Sequence, residues 1–367
     1  MVSHLSLPHG RLDLPVFLPD ATHGVVRSVD AADLRRCGVR AVQTNVFHLM
    51  QRPGSTTVRA LGGVHGMLGW GGPVVTDSGG FQAYSLIREN PKRGSMSDRG
   101  LVIHPEGSSR KLLLTPEKCV QLQMSYGADI AICLDDCTHP DDPHPRQEQS
   151  VRRTVDWARR CKVEFERILD SSRSMPRPLL LAVIQGGAST TLRRRCAEEL
   201  LSIGFDGYGF GGWPFNARGE LLEETLAFTR EAVPRDFPLH ALGIGHPQHL
   251  VTCVRMGYGL LDSVLPTRDA RQGRLYAWRG LRGDPLQGEW FSYRYVQDAA
   301  HLKARDPVSE ECGCHCCETY SLGYLRHLHA IGDVLYQRLA TIHNLHFVME
   351  LVARVRTEQT SGDQRGV

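Results

Sequence analysis

Eight short apolar runs punctuate the chain, at Leu14–Leu18, Val39–Thr44, Pro73–Thr76, Asp129–Leu134, Leu179–Ile184, Phe205–Phe210, Leu239–Gly243 and Gly259–Val264. Most are too short and too continuous for helices, and many carry Val and Ile. They predict strands buried on both faces, as in a parallel sheet. The stretches between them switch to helical spacing with recognisable ends. Thr115-Pro-Glu supplies an N-cap, a proline at the first helical position and an acidic first turn, and Gly127 stops the helix. Pro145–Ser171 sets Val151, Val155, Ala158 and Phe165 on one side and arginines on the other. Further helices are expected over Thr190–Ile203, over Ala217–Ala232, and from His246-Pro-Gln to about Met256.

Eight alternations of strand and helix predict an α/β fold, a closed (β/α)8 TIM barrel. The alternative is a doubly wound open sheet. That fold normally carries a Gly-rich phosphate turn after its first strand, which Ala21-Thr-His-Gly-Val-Val does not supply. From about Gly280 to Cys317 the alternation gives way to a segment rich in Gly, Arg and aromatics, and then in Cys. Two helical stretches follow, roughly Tyr320–Leu339 and His343–Arg356. The expected organisation is a barrel over residues 1–279, a zinc-binding insertion after strand eight over 280–342, and a closing helix and tail over 343–367. Thr357–Val367 reads as a frayed tail.

The zinc expectation rests on the cysteines. Of eleven, seven are scattered singly and four crowd into Cys312-Gly-Cys-His-Cys-Cys317. Cys312, Cys314 and Cys317 follow a C-x-C-x2-C spacing, and His343 lies downstream. Three thiolates and an imidazole make a closed tetrahedral Zn2+ shell with no open position for catalysis, hence a structural ion. Cys316 and His315 are spare candidates, and His346 and His329 are weaker ones. An odd cysteine count, a long chain and no export signal at Met1-Val-Ser-His-Leu-Ser-Leu-Pro8 point to a reducing, cytoplasmic setting.

Composition narrows the classes further. A chain of 367 residues with 41% apolar content accommodates one large barrel and an appendage. No run of 18 uncharged apolar residues is present, so no membrane span is expected. The net charge of +3 is mild, and any nucleic-acid footprint has to be local.

Barrel active sites form where the strands end. The predicted strand ends carry Asp77-Ser-Gly-Gly-Phe-Gln82, Asp135-Asp-Cys137, Gln185-Gly-Gly187, Gly211-Gly-Trp213 and Asp262. Each has a plain structural reading: Asp77 as a helix cap, Asp135 and Asp136 as solvated loop acids, the glycine pairs as turns, Gln185 as a satisfied amide, Phe81 as core. Placed together on one rim, they suit recognition of a planar polar ring. A purine-like base offers N–H donors to Asp135 and an exocyclic oxygen to Gln185. A separate carboxylate, Asp262, is suited to attack the anomeric carbon as the base leaves, through an oxocarbenium-like transition state. Arg268 and Arg271 follow closely and suit phosphates.

These stretches resemble tRNA-guanine transglycosylases. The resemblance runs through Asn45-Val-Phe-His48, Arg52-Pro-Gly54, Thr76–Gln82, Ser125–Asp129, Leu134–Thr138, Ile184-Gln-Gly186, Gly204–Tyr208, Gly211-Gly212, Asp262-Ser-Val-Leu-Pro-Thr-Arg268 and the Cys3His set, about nine-tenths of the chain in order. The family fold is a (β/α)8 barrel with a zinc-bearing insertion, and its reaction replaces guanine at the tRNA wobble position with a free 7-deazaguanine base. By that resemblance Asp262 is the nucleophile and Asp77 the second acid. Asp135, Gln185 and Gly212 hold the base, with Phe81 against its ring. Trp213 borders the pocket, and Arg268 and Arg271 hold the anticodon loop. A homodimer is implied by the bacterial members.

The chain departs from the bacterial pattern where Leu-Ala-Val-Gly-Glu is common after the paired glycines. Here the run is Trp213-Pro-Phe-Asn-Ala217. Asp136 stands where Glu is usual, Leu242 where Met is, and Ser263 where Cys is frequent. These changes touch the choice of incoming base, queuine or its aminomethyl precursor, and leave the exchange chemistry intact. Two other readings are a non-catalytic tRNA-binding subunit, which the pair Asp77 and Asp262 disfavours, and a metal-dependent barrel hydrolase, which lacks a His-x-His pair at the strand ends.

Overall fold

The computed structural model describes residues 2–104, 111–171, 176–280 and 286–363. Eight parallel strands form the expected barrel: β1 Val16–Pro19, β2 Val42–Asn45, β3 Val74–Asp77, β4 Ile130–Ile132, β5 Leu179–Ile184, β6 Gly207–Phe210, β7 Leu239–Ala241 and β8 Leu260–Ser263. Each pairs with its sequence neighbour from β2 to β8, and β8 pairs with β1. An isolated parallel bridge between Asp20 and Gln43 links β1 to β2 and closes the ring.

Strand alternation decides what faces inward. Leu18, Val75, Ile130, Ile132, Leu181, Val183 and Leu260 form one buried cluster inside the barrel. Their neighbours Val74, Ala131, Leu180, Ala182, Ile184, Tyr208, Phe210, Leu239 and Leu261 pack outward in a second cluster with the helices. Extending the inward parity by one step beyond Val75, Val183 and Leu260 puts Asp77, Gln185 and Asp262 at the open end. The same parity makes Gly209 and Gly211 the inward residues of β6 and its exit, so that strand brings no bulk to the mouth.

The bottom of the barrel is plugged by a feature that the apolar runs do not announce. An antiparallel hairpin, His4–Leu7 with Gly10–Asp13, delivers Leu5, Leu7, Leu12 and Leu14 into the interior cluster. Helices match at Pro116–Ser125, His144–Asp170, Thr190–Ile203 and Pro247–Met256. The helix expected from Ala217 starts only at Glu223, because residues 213–222 fold back through a Phe215–Leu221 bridge. Between β3 and β4 a three-stranded antiparallel sheet, Gly94–Ser97, Gly100–Ile103 and Leu112–Leu114, also lies outside the sequence expectation.

After β8 a short helix, Leu265–Arg271, leads into a hairpin of Arg274–Trp278 and Phe291–Tyr295. The two late helices break at 331–333, around Gly332, and not after Leu339. They run Leu322–Ala330 and Val334–Asp363. The second carries His343 and continues through much of the expected frayed tail. Residues 364–367 lie outside the described residues. Buried Asn344 fastens this helix to the barrel, donating to the carbonyls of Pro266 and Arg274 at 3.0 Å each and accepting from Tyr276 N–H at 3.1 Å. Arg338 adds a two-pronged ion pair to Asp33 at 2.7 and 2.8 Å. No described helix is long and apolar enough to cross a membrane.

Candidate active site

Asp77, Gln185 and Asp262 converge as alternation requires. Asp262 is half-buried, and its Oδ1 lies 2.9 Å from His240 Nε2 and accepts from Gly243 N–H at 3.1 Å. Its Oδ2 has no hydrogen-bond partner among the described residues. Asp77 accepts from Asn45 Nδ2 at 2.7 Å, an adjacency set by the β2–β3 register. It does not cap the next helix, Gly80–Glu89, whose N-cap is Gly79 with no side-chain cap. Asp77 opens partly to the mouth but is otherwise hemmed in by protein. That desolvation, with the charge of Asp262 behind it, raises its carboxyl to about 6.

Asp135 is buried rather than solvated. Gln185 Nε2 donates to its Oδ2 at 2.6 Å. Burial, followed by the charge of Asp77, lifts Asp135 to about 7. Burial and neighbouring negative charge thus hold both Asp77 and Asp135 above the ordinary carboxylate range. Asp20, beyond β1, adds a fourth acid. Burial raises it, and Asp262 adds to the shift.

Asp136 points away from this cluster. Fully buried, it is held by Arg146 at 2.5 and 3.0 Å and by Arg153 at 2.6 Å. It anchors the start of the long helix and is neither a solvated acid nor a rim residue.

Two glycines permit close approach. A Cβ on Gly80 would lie 2.8 Å from Asp135 Oδ1. Gly212 has φ +90, and a Cβ there would sit 3.5 Å from Gln185 Oε1. That Oε1 is buried without a partner among the described residues. The site therefore holds an open acceptor beside a bare backbone.

Phe81 and Trp213 stack with centroids 5.4 Å apart and planes at 23°. Trp213 is 40% exposed, so it covers Phe81 from the solvent side. Its loop is stitched by Leu222 N–H to Pro214 O at 2.9 Å and by Asn216 Oδ1 accepting from Arg218 and Glu220 N–H. Arg268 and Arg271 lie on the helix after β8. Arg268 is exposed, whereas Arg271 is half-buried with Nη1 unpartnered among the described residues. Burial lowers Arg271, and Arg27 close by adds to that.

His240, Asn45, Arg193 and Arg27 were not anticipated. Arg193 is the most unusual. Fully buried, it donates to the carbonyls of Gly187 at 2.7 Å, Ile184 at 3.1 Å and Gly211 at 2.9 Å, and stacks on Phe210 at 4.0 Å. Burial pulls it down to about 10. It fixes the exits of β5 and β6, which carry Gln185 and Gly212. His240 had a signal, a lone imidazole inside an apolar strand. Arg193 had none that separates it from Arg194 and Arg195.

Cys312, Cys314, Cys317 and His343 come together with one ligand atom each within 4.8 Å of the others. His343 Nδ1 lies 3.7, 3.5 and 3.2 Å from the three sulfurs. A tetrahedral ion with bonds of about 2.3 Å to sulfur and 2.0 Å to nitrogen would space these atoms at roughly 3.5 Å. His343 Nε2 donates to Tyr276 O at 2.6 Å, leaving Nδ1 as the free electron pair. The cluster could hold a metal ion. Cys316 is instead buried in the core of the insertion, and His315, His329 and His346 stand apart beside Thr319, Tyr336 and Glu350.

A family model described as queuine tRNA-ribosyltransferase matches residues 2–364. Relatives of that name include one from Desulforamulus reducens, 35% identical across 96% of this chain and 89% of its own. One from Syntrophobacter fumaroxidans is 36% identical across 96% and 88%. One from Thermotoga neapolitana is 34% identical across 99% and 92%. With a full-length match and this barrel and rim, the chain belongs to the queuine tRNA-ribosyltransferase family and is a pentosyltransferase.

Proposed function

We propose that the chain exchanges the guanine at the wobble position of tRNA anticodons for a free 7-deazaguanine base by double displacement, in queuosine modification of tRNA in the cytoplasm. Asp262 attacks C1′ of the ribose with its unengaged Oδ2, while His240 and Gly243 N–H steady Oδ1. The C1′–N bond to guanine breaks, and a covalent ribosyl–aspartate links tRNA to protein. Asp77 supplies the proton to the departing base and recovers one from the incoming base, which then displaces Asp262. Asp135, Gln185 and Gly212 bind the edge of the base, with Phe81 against its ring and Trp213 at the border of the pocket. The observation that carries this reading is the placement of Asp262, Asp77 and Asp135 at one end of the barrel, with Asp262 anchored through a single oxygen. Radiolabelled guanine incorporation by the purified chain tests it. Incorporation that needs a second protein would favour a non-catalytic subunit instead.

Arg268 and Arg271, with Arg27 beside them, are the proposed phosphate contacts for the anticodon loop. Zn2+ is the proposed occupant of the Cys3His cluster, where four protein ligands fill a tetrahedral shell and tie the insertion to the closing helix. A homodimer is proposed from an exposed face on the insertion. Tyr320 stacks on Tyr324 at 5.5 Å and Tyr324 on His327 at 6.4 Å, beside exposed Ile331 and Val334. Sedimentation of Tyr324→Ala against the parent chain tests that assignment.

The incoming base is the aminomethyl precursor or queuine itself. Pro214 has no N–H, so the backbone after Trp213 can offer the substituent an acceptor but no donor from that position.

A further inference from the structure

A cavity lies at the end of the barrel opposite the carboxylates. Its volume is about 130 Å³, close to that of engineered cavities that admit benzene. Leu14 and Pro15 before β1, Pro238 before β7, Gly259 before β8, and Gln359 from the closing helix contribute to its wall. Three guanidinium groups, from Arg230, Arg235 and Arg356, line it, and none of its lining residues carries a carboxylate.

Arg230 is only 5% exposed. It donates to four neutral carbonyls, those of Val233 at 2.6 Å, Pro234 at 2.9 Å, and Phe237 and Gly257 at 3.4 Å. Its Nε is buried with no partner among the described residues. The carbonyls satisfy N–H groups but leave the charge uncompensated. Burial lowers its pKa, and Arg235 lowers it further. Arg356 is also lowered by burial, with Arg40 adding to the shift. Arg356 Nη2 donates to the carbonyls of Asp13, at 3.3 Å, and of Pro15. Arg235 is exposed and makes no hydrogen bond or ion pair to any described residue.

We propose that this cavity binds a small organic oxyanion, a phosphate or carboxylate group on a short apolar body. The oxyanion meets the Arg235 and Arg356 guanidiniums, which line the cavity, and the buried charge of Arg230 lies behind them. The body lies on Leu14, Phe237, Val254 and Tyr258. Because Leu14 and Arg356 come from opposite ends of the chain, occupancy braces the closing helix against the N-terminal segment. This proposal is independent of the exchange reaction.

The test is calorimetric titration of the full-length protein, at fixed ionic strength in chloride, with phenyl phosphate, with benzoate and with uncharged benzyl alcohol. The expected result is saturable one-to-one binding of at least one anion with Kd on the order of 1 mM or tighter, a matching rise in Tm, and no binding of benzyl alcohol. The tighter anion identifies the headgroup. Arg235→Gln, which changes an exposed side chain, should weaken binding roughly tenfold while leaving the unliganded Tm and guanine exchange unchanged. Heat without saturation for both anions, or unaltered affinity in both Arg235→Gln and Arg356→Gln, would overturn the proposal.

Discussion

His240 Nε2 faces Asp262 Oδ1 across 2.9 Å, from the neighbouring strand of the barrel. Its other ring nitrogen, Nδ1, is buried without a partner among the described residues. This places the ring proton on Nε2, directed at the carboxylate. The histidine thus aims the proposed nucleophile without touching substrate. His240→Ala should fold and bind tRNA but form the covalent adduct on the order of 10²-fold more slowly, the scale expected from misplacing a reacting group. Single-turnover quench kinetics measure it. An unchanged adduct rate would remove His240 from the account.

Asp77 titrates near 6 because of burial and Asp262. If it protonates the departing guanine, guanine release should slow as pH rises through about 6. Return of a base through the ionised form should slow as pH falls through the same value. Asp77→Asn should lose both limbs and roughly 10²–10⁴-fold in rate. A pH profile of each half-reaction checks this.

Asp135 carries a stability cost. Its folded pKa, about 7, lies above the ordinary carboxylate value of 3.8. Between those values the folded chain holds a proton that the unfolded chain has lost, so stability falls as pH rises through that window and then levels off. Asp135→Asn can keep an acceptor for Gln185 and remove the charge. It should melt higher than the parent at pH 8, by an amount corresponding to about 1–3 kcal/mol, lose that advantage near pH 4, and fail to exchange guanine. Thermal melts across pH, with a parallel exchange assay, decide the matter.

Trp213→Ala should alter base choice more than turnover. The stack on Phe81 is worth about 0.5–1.5 kcal/mol, so KM for guanine should shift by up to roughly tenfold, while larger 7-substituted bases gain relative to it. A competition assay with several deazaguanines on guanine-loaded tRNA reads the order directly.

Arg268 is exposed and is proposed as a contact to tRNA phosphate. Arg268→Ala should leave Tm unchanged and lower the slope of log affinity against log salt by about one. Filter binding at several salt concentrations provides that slope.

Most of this site was legible because strand ends carry both the apolar pattern and the chemistry. A residue two positions beyond an inward Val75, Val183 or Leu260 points inward as well, so Asp77, Gln185 and Asp262 follow from alternation once the barrel is recognised. The cysteine spacing likewise localises three members of the Cys3His cluster. What escaped depends on contacts between distant segments. Arg193 differs from its arginine neighbours only in the helix face it occupies. Asn45 meets Asp77 through strand register, and Asp136 turns to arginines on the following helix. The N-terminal plug was hidden because its leucines alternate with polar residues over strands of four, which resembles a surface hairpin.

The central claim is that Asp262 becomes covalently joined to tRNA. The direct measurement is a denaturing gel and intact-mass analysis of the protein quenched with a tRNA bearing wobble guanine, in the absence of free base. A ribosyl–protein adduct mapped by digestion to the peptide containing Asp262, and absent in Asp262→Asn, is the predicted result. Guanine exchange that persists in Asp262→Asn, or an adduct mapped to another residue, would contradict it.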